Sequence, residues 1–573
     1  MDNKHLPNLY PGVKHTDIRN LIDNCAENFG DSTAFILKHK QSKKEFTYEE
    51  ISYNQLRDHV IGLTTYFVEE AGKDKSIAVI GNNCYNWIIS YFAATIGPGV
   101  VVPLDKGLPF EEIISSLERS GANALVYDKA HKKDVESLME NNTTNVKLFV
   151  PMEDIREKVA EGFKKYKDGN AYYHQRSIDP DKMAIMLFTS GTTAQSKAVM
   201  LSHTNIMSNI YAVSASIHVE AGETNMAFLP FHHTLGATGM MIMMHYGCKT
   251  AFCDGLKYLQ KNLVEYKVSV FICVPLLIEG IYKKILNTAK KEGKDKLIKR
   301  MTKVCNFLLK FGIDIRRKVF KSVLDQLGGN IRLIVSGASA IDAKALQGFQ
   351  AFGITTFQGY GLTETSPLLT VECFDHLRLG SVGKAIVNVD IKIDNPNPDG
   401  IGEIWAKGPN VMLGYYENEE ETNKNMEDGW FKTGDLGKID DDGYLFITGR
   451  KKNVIVLKNG KNIYPEEIET LIANLPYVEE NMVFGKPKDH DPSDMVISAK
   501  IVYNPENVEN HFGAVSSDEL NKLIEADIEK INATMPSYKH VNKLYITDEP
   551  SIKTTTAKIK RFEEIKKIER ENK

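Results

Sequence analysis

Leu187-Phe188-Thr189-Ser190-Gly191-Thr192-Thr193-Ala194-Gln195-Ser196-Lys197-Ala198-Val199-Met200 is the stretch from which the fold is read. Apolar residues run into a cluster of hydroxyls around one glycine, then a lysine, then an apolar exit toward Ser202-His203. Between Thr189 and Thr193 four side-chain hydroxyls accompany the backbone N–H groups. A turn of that composition wraps an oxyanion, and Lys197 adds a point charge against it. The Walker A order G-x-x-x-x-G-K-[ST] is absent, because Ser196 precedes the lysine and Ala198 follows it. The stretch reads as a phosphate loop of another kind; the plainer alternative is a polar turn after a strand.

Upstream, Thr16 is expected to cap a helix through Ile18, Leu21, Ile22, Cys25 and Phe29, stopped by Gly30. Thr47-Tyr48-Glu49-Glu50 has the form of a capping box opening a second helix to Gly72. Ile77–Ile80, Val100–Pro103 and Ala124–Tyr127 are short continuous apolar runs alternating with helical patterns, which indicates a parallel sheet covered on both faces. Downstream, a second α/β unit is expected from about Val199 to Leu369, with strands at Met226–Leu229, Lys249–Phe252, Val268–Cys273 and Ile331–Ser336. Nine lysines and arginines fall between Lys283 and Lys303, interleaved with apolar residues, so this helical segment is either a membrane-surface helix or a solvated face. From Gly380 to Tyr416 the apolar period becomes two, predicting antiparallel sheet and a small barrel. After Arg450 charge density rises.

The 573 residues exceed what one hydrophobic core organises. A net charge of −4 gives no global electrostatic case for nucleic-acid binding. The seven cysteines form no C-x-x-C pair, so neither a zinc site nor a disulfide framework is signalled. No apolar run reaches the ~20 residues needed to span a bilayer, and Met1-Asp2-Asn3-Lys4-His5 has no signal-peptide core. A cytoplasmic protein with peripheral membrane contact at most is expected, its oligomeric state open.

Several separated signatures carry a resemblance. The loop at Thr189–Lys197 is similar to T-S-G-T-T-G-x-P-K-G of the adenylate-forming superfamily, with Ala194 and Ala198 for glycine and Ser196 for proline. Gly359-Tyr360-Gly361-Leu362-Thr363-Glu364 resembles Y-G-x-T-E; Gly429–Asp435 and Arg450 resemble the ribose-binding turn and its partner. Ser336-Gly337-Ala338-Ser339-Ala340 is similar to the adenine-side turn, and Thr554–Arg561 to T-x-x-G-K-x-x-R, with Ala557 for glycine. Leu229-Pro230-Phe231-His232-His233 with Gly236 resembles L-P-x-x-H-x-x-G.

The resemblance implies an α/β fold: a large N-terminal domain, 1–450, of two doubly wound subdomains plus a small β-barrel. A small mobile α+β domain, 451–573, follows it. It implies ATP phosphates on Thr189, Ser190, Gly191, Thr192, Thr193 and Lys197, and adenine and ribose on Gly337, Ala338, Ser339, Gln358, Gly359, Tyr360, Gly361, Asp435 and Arg450. Magnesium falls to Glu364, whose hard oxygen suits that ion. Catalytic roles fall to Lys558, Lys197 and Thr363. His233 is placed at the acyl pocket, Lys452 at the hinge and Gly460 at the coenzyme A tunnel. The implied activity is ATP-dependent conversion of a medium- or long-chain fatty acid to acyl-AMP and then acyl-CoA. Transfer to an acyl carrier protein, or a degenerate non-catalytic binding protein, are the alternatives. An alanine forced to φ > 0 costs ~1–2 kcal/mol, which is why the glycine departures matter.

Overall fold

The structure is a computed structural model describing residues 5–571 apart from 43–44, 142, 190–195, 340, 375, 459, 489–490 and 554–557, with backbone alone at 491–493. Ser190, Gly191, Thr192, Thr193, Ala194, Ala340 and Ala557 therefore lie outside the described residues.

Among the described residues two large sheets form the N-terminal part. The first has seven strands, with Lys75–Ile80 between Gly99–Leu104 and Ala122–Tyr127, all parallel. The apolar runs Ile77–Ile80 and Val101–Leu104 are buried on both faces, as continuous hydrophobic strands require. The second sheet has nine strands, with Thr224–Ala227, Lys249–Phe252, Val270–Cys273, Leu333–Ser336 and Thr355–Gly361 paired in parallel. Between the two sheets runs a helical layer. The helix Tyr85–Ile96 is buried along its whole length, and one continuous apolar core joins Trp87, Ile88 and Phe92 to Val79 of one sheet and Phe35 of the other.

Three expectations change. Thr16 does not cap the first helix: Asp17 does, accepting from the Asn20 N–H at 3.0 Å, while the Thr16 hydroxyl donates to the Asp17 carboxylate. Thr47–Glu50 does not open a helix but lies in the strand Phe46–Ser52, antiparallel to Thr33–Lys40. The capping box is one step later, where Ser52 and Gln55 exchange hydrogen bonds at the start of Tyr53–Ala71. Finally, the division between the units is not at Val199. Lys197–Ser202 belongs to the first sheet, antiparallel to Met183–Thr189, and the early hairpin Thr33–Ser52 crosses to the second, Phe35 pairing with Thr250.

The region expected as a small barrel is a five-stranded antiparallel sheet built on Asp390–Asp394, Gly402–Lys407, Trp430–Ile439 and Leu445–Arg450. Beyond it, Val478–Lys488, Asp491–Tyr503 and Lys543–Thr547 form a three-stranded sheet. Its separate core contains Ile468, Ile472, Val483, Ile501 and Ile524, the last on helix Ser517–Asn532. Among the described residues no helix is long and apolar enough to cross a membrane.

Candidate active site

The phosphate-loop stretch leaves the first sheet at Thr189 and returns at Lys197, and these two residues face each other across the ladder. Ala198 lies in extended strand opposite Phe188. Its substitution for glycine therefore incurs no left-handed strain. Ser196, at the proline position, is gripped by Arg119 from the end of helix Phe110–Arg119. One guanidinium nitrogen donates to the Ser196 carbonyl at 2.7 Å and another to its hydroxyl at 3.1 Å. The same guanidinium lies 5.0 Å from the Phe188 ring centroid. Sequence reasoning missed Arg119, which carried no signal beyond being a basic residue closing an amphipathic helix.

The Lys197 ammonium is ion-paired to Glu421 and sits 4.9 Å from the centre of the Tyr415 ring. Tyr415 is registered opposite Val199, and its hydroxyl donates to Glu364 Oε1 at 3.0 Å. One tyrosine thus fixes both the loop lysine and the carboxylate suited to a hard cation. Glu364 is carried by the short turn Thr363–Thr365, directly after strand Thr355–Gly361. Gly361 has a steric reason: a Cβ there would stand 1.8 Å from the Pro367 carbonyl oxygen.

Gln358, Gly359 and Tyr360 lie on that strand, and Gly337, Ala338 and Ser339 follow its parallel neighbour, Ser336 being paired with Gln358. Ala338 has φ of +74°, a left-handed conformation for a residue with a Cβ. Behind the strand, buried Glu372 accepts the Gln358 N–H at 2.9 Å and the Arg378 N–H at 3.2 Å. Burial outweighs both bonds and pushes its carboxyl up to about 7.

Tyr360 donates its hydroxyl to Asp435 Oδ2 at 2.8 Å, and Arg450 Nε meets Asp435 Oδ1 at 2.7 Å. Burial raises the Asp435 pKa, while Arg450, Tyr360 and Lys558 oppose the shift. Lys558 enters this group from the far end of the chain. Crowding lowers its pKa and Arg450 lowers it further, whereas Asp435 and Glu364 raise it; solvent still reaches much of the side chain. Arg561, three residues on, donates to the Val483 carbonyl at 2.8 Å and to Glu469 Oε2 at 2.6 Å, tying the lysine segment to helix Pro465–Ala473. Lys452 lies in the turn directly after Arg450, its pKa lowered by desolvation and then by the Arg450 charge. Gly460 has φ of +77° in the turn between Ile455–Val456 and Asn462–Ile463, and among the described residues nothing crowds the space where a Cβ would stand.

His233 opens helix Thr234–His245, and burial, then the neighbouring His232, lowers its pKa to about 3. His232 Nε2 lies 3.4 Å from Asp105 Oδ2, and the two imidazole rings are 4.1 Å apart. Beside them is an apolar cleft lined by Phe228, Leu229, Leu235, Gly239, Met240 and Ile272. It encloses about 10 Å³, room for roughly one water. A Cβ on Gly337 would stand 3.2 Å from Leu235, so the cleft adjoins the Gly337–Ser339 turn. Met240 lines it; Met241, Met243 and Met244 are core.

The two-sheet α/β body, the small C-terminal domain and this ordered set of signatures define an adenylate-forming, acyl-activating enzyme. The chain belongs to the AMP-binding enzyme family: residues 22–416 match its profile, and residues 452–569 match that of the AMP-binding enzyme C-terminal domain. It is similar to the long-chain-fatty-acid–CoA ligase FadD15 of Mycobacterium bovis, 28% identical over 552 residues covering 89% of this chain and 88% of that one. Long-chain-fatty-acid–CoA ligase 5 of Rattus norvegicus is 26% identical over 568 residues, covering 90% and 82%. The fold matches a fatty acyl-CoA synthetase of Mycobacterium tuberculosis with a TM-score of 0.64 at 20% identity, over 96% of this chain and 98% of that one.

Proposed function

We propose that the chain activates a medium- or long-chain fatty acid with ATP and transfers the acyl group to coenzyme A. The observation that carries this is the convergence of Lys558, Asp435, Arg450 and Glu364 from chain-distant elements. In the first step the carboxylate attacks the α-phosphorus, forming acyl-AMP and releasing pyrophosphate. Asp435 accepts the two ribose hydroxyls and Arg450 holds it in place. Tyr360 and the Gly337–Ser339 turn flank adenine, with Gln358 and the two glycines 359 and 361 shaping that wall. Thr363 meets the α-phosphate, and Lys197 with the 189–193 loop holds the departing phosphates. Lys558 steadies the negative charge that develops between carboxylate and α-phosphate. Glu364, a hard oxygen donor, would hold magnesium, which would supply charge neutralisation on the phosphates when bound.

In the second step residues 451–573 turn about Lys452, withdrawing Lys558 and bringing the Gly460 turn to the site for thiol attack. The left-handed turn at Gly460, uncrowded by any described residue, supports a passage for pantetheine there. The fatty acyl class rests on the relatives' names and on the apolar cleft beside His233. That cleft must widen to admit a chain, and unbranched Met240 is the wall residue best able to move.

ATP–pyrophosphate exchange across acids from acetate to oleate, with aromatic acids included, tests the reading. A maximum among medium or long chains, followed by acyl-CoA on adding coenzyme A, is expected. No exchange with any acid would favour the degenerate binding protein, and acyl transfer only to a carrier protein would replace the acceptor.

A further inference from the structure

Helices Pro275–Lys291 and Asp295–Leu309 have their inner faces filled. Ile278, Ile285 and Cys305 are buried in the core of the second sheet, with Ile298 and Met301 packed against it. Their outer faces are apolar again. Leu297, Val304 and Phe307 follow spacings of seven and three, which place them on one stripe of the second helix. Phe311 continues that stripe past the helix end, stacked edge-to-face on Phe307 at 5.2 Å. On the first helix Leu276 and Leu286 share a side with Lys283 and Lys290. Phe307 is 60% exposed, and Phe311 and Leu276 are each 67% exposed. Singly exposed apolar residues are ordinary, but a continuous stripe ending in two aromatic rings is not.

Charge supplies the second observation. From Lys283 to Lys321 the sequence carries fourteen lysines and arginines against three acidic residues, in a chain whose net charge is −4. Arg316 and Arg317 are spent on backbone carbonyls of the core. Lys296, Arg300 and Lys303 instead stand exposed along the Leu297–Val304–Phe307 stripe. Apolar side chains at the centre with cations at the border is the pattern of a helix lying in a membrane interface.

We propose that these two helices and the 311–313 turn dock on the surface of an anionic lipid bilayer. The basic border meets the headgroups, and Leu297, Phe307 and Phe311 enter the acyl boundary. The position suits a lipid-derived substrate: the first helix begins two residues after strand Val270–Cys273, whose Ile272 lines the apolar cleft. The docking stands independently of which acid is activated.

Flotation of the full chain with vesicles tests it, comparing phosphatidylcholine alone with phosphatidylcholine containing phosphatidylglycerol. Two double variants, Phe307→Ser with Phe311→Ser and Lys296→Glu with Arg300→Glu, are run alongside, their thermal midpoints confirming folding. The native chain is expected to float with the anionic vesicles, less so as salt is raised, and to stay behind with the neutral ones. Each double variant is expected to bind roughly tenfold or more weakly. No flotation with anionic vesicles would overturn the proposal and leave an acidic protein as the surface's partner. Undiminished flotation of both folded variants would overturn it as well, by placing the contact elsewhere.

Discussion

Arg450 reaches across the antiparallel ladder to Asp435, Nε to Oδ1 at 2.7 Å, while Tyr360 takes the other carboxylate oxygen. The pair is buried on the aspartate side only. Removing the arginine leaves a buried carboxylate without its paired guanidinium at the proposed ribose site. Arg450→Gln is expected to raise the half-saturating ATP concentration about 10- to 100-fold in pyrophosphate exchange. An unchanged value would detach Arg450 from nucleotide binding.

Lys558 interacts electrostatically with Asp435 and Glu364, at the place where the proposal has carboxylate and α-phosphate meet. Lys558→Ala should slow adenylate formation by ~100-fold or more. It should leave thiol transfer from supplied acyl-AMP nearly intact. Equal loss in both half-reactions would refute the division of labour between Lys558 and the Gly460 turn.

Glu421 is ion-paired to the Lys197 ammonium, the group proposed to hold the phosphates. Both groups are only partly buried, so the competition is modest. Glu421→Gln is expected to lower the half-saturating ATP concentration roughly two- to fivefold, and Lys197→Ala to raise it. A rise in Glu421→Gln would mean that the pair positions the lysine rather than competing for it.

Glu372 has a folded-state pKa raised to about 7 by burial. The folded state therefore holds its proton more tightly than the unfolded chain, and stability from this group declines as pH climbs from the ordinary carboxyl range through about 7. Glu372→Gln removes the charge but keeps an acceptor. Its thermal midpoint relative to the native protein should be higher at pH 8 than at pH 5; a difference independent of pH would deny the titration.

Ala338 holds φ of +74° in the turn beside the proposed adenine wall. Ala338→Gly should raise the denaturation midpoint of the N-terminal domain by an amount corresponding to about 0.5–1 kcal/mol. A destabilised variant would show that the methyl group is a packing element.

The strands Ile77–Ile80 and Ala124–Tyr127 were legible because burial on both faces demands an unbroken apolar run. Thr47–Glu50 was not, since the capping-box pattern is blind to a partner strand such as Thr33–Lys40, which pairs Lys38 with Tyr48. Tyr360, Asp435 and Arg450 were singled out by motif alone, and the structure joins them on one carboxylate; the roles proposed for them rest on that meeting. Arg119 on Ser196, Glu421 on Lys197 and Arg561 on Glu469 were hidden for one reason. Each pair joins residues 77 to 224 positions apart, and no local pattern encodes such a contact.

The crossing of the hairpin Thr33–Ser52 into the second sheet also orders events in time. A ribosome releases this hairpin roughly two hundred residues before Lys249–Phe252, its neighbour in the finished sheet. By then nearly every strand of the first sheet has emerged, while the hairpin waits with one edge unpaired. A pause in synthesis at any point before Lys249–Phe252 emerges would prolong the exposure of that edge, the condition in which a nascent chain needs a chaperone.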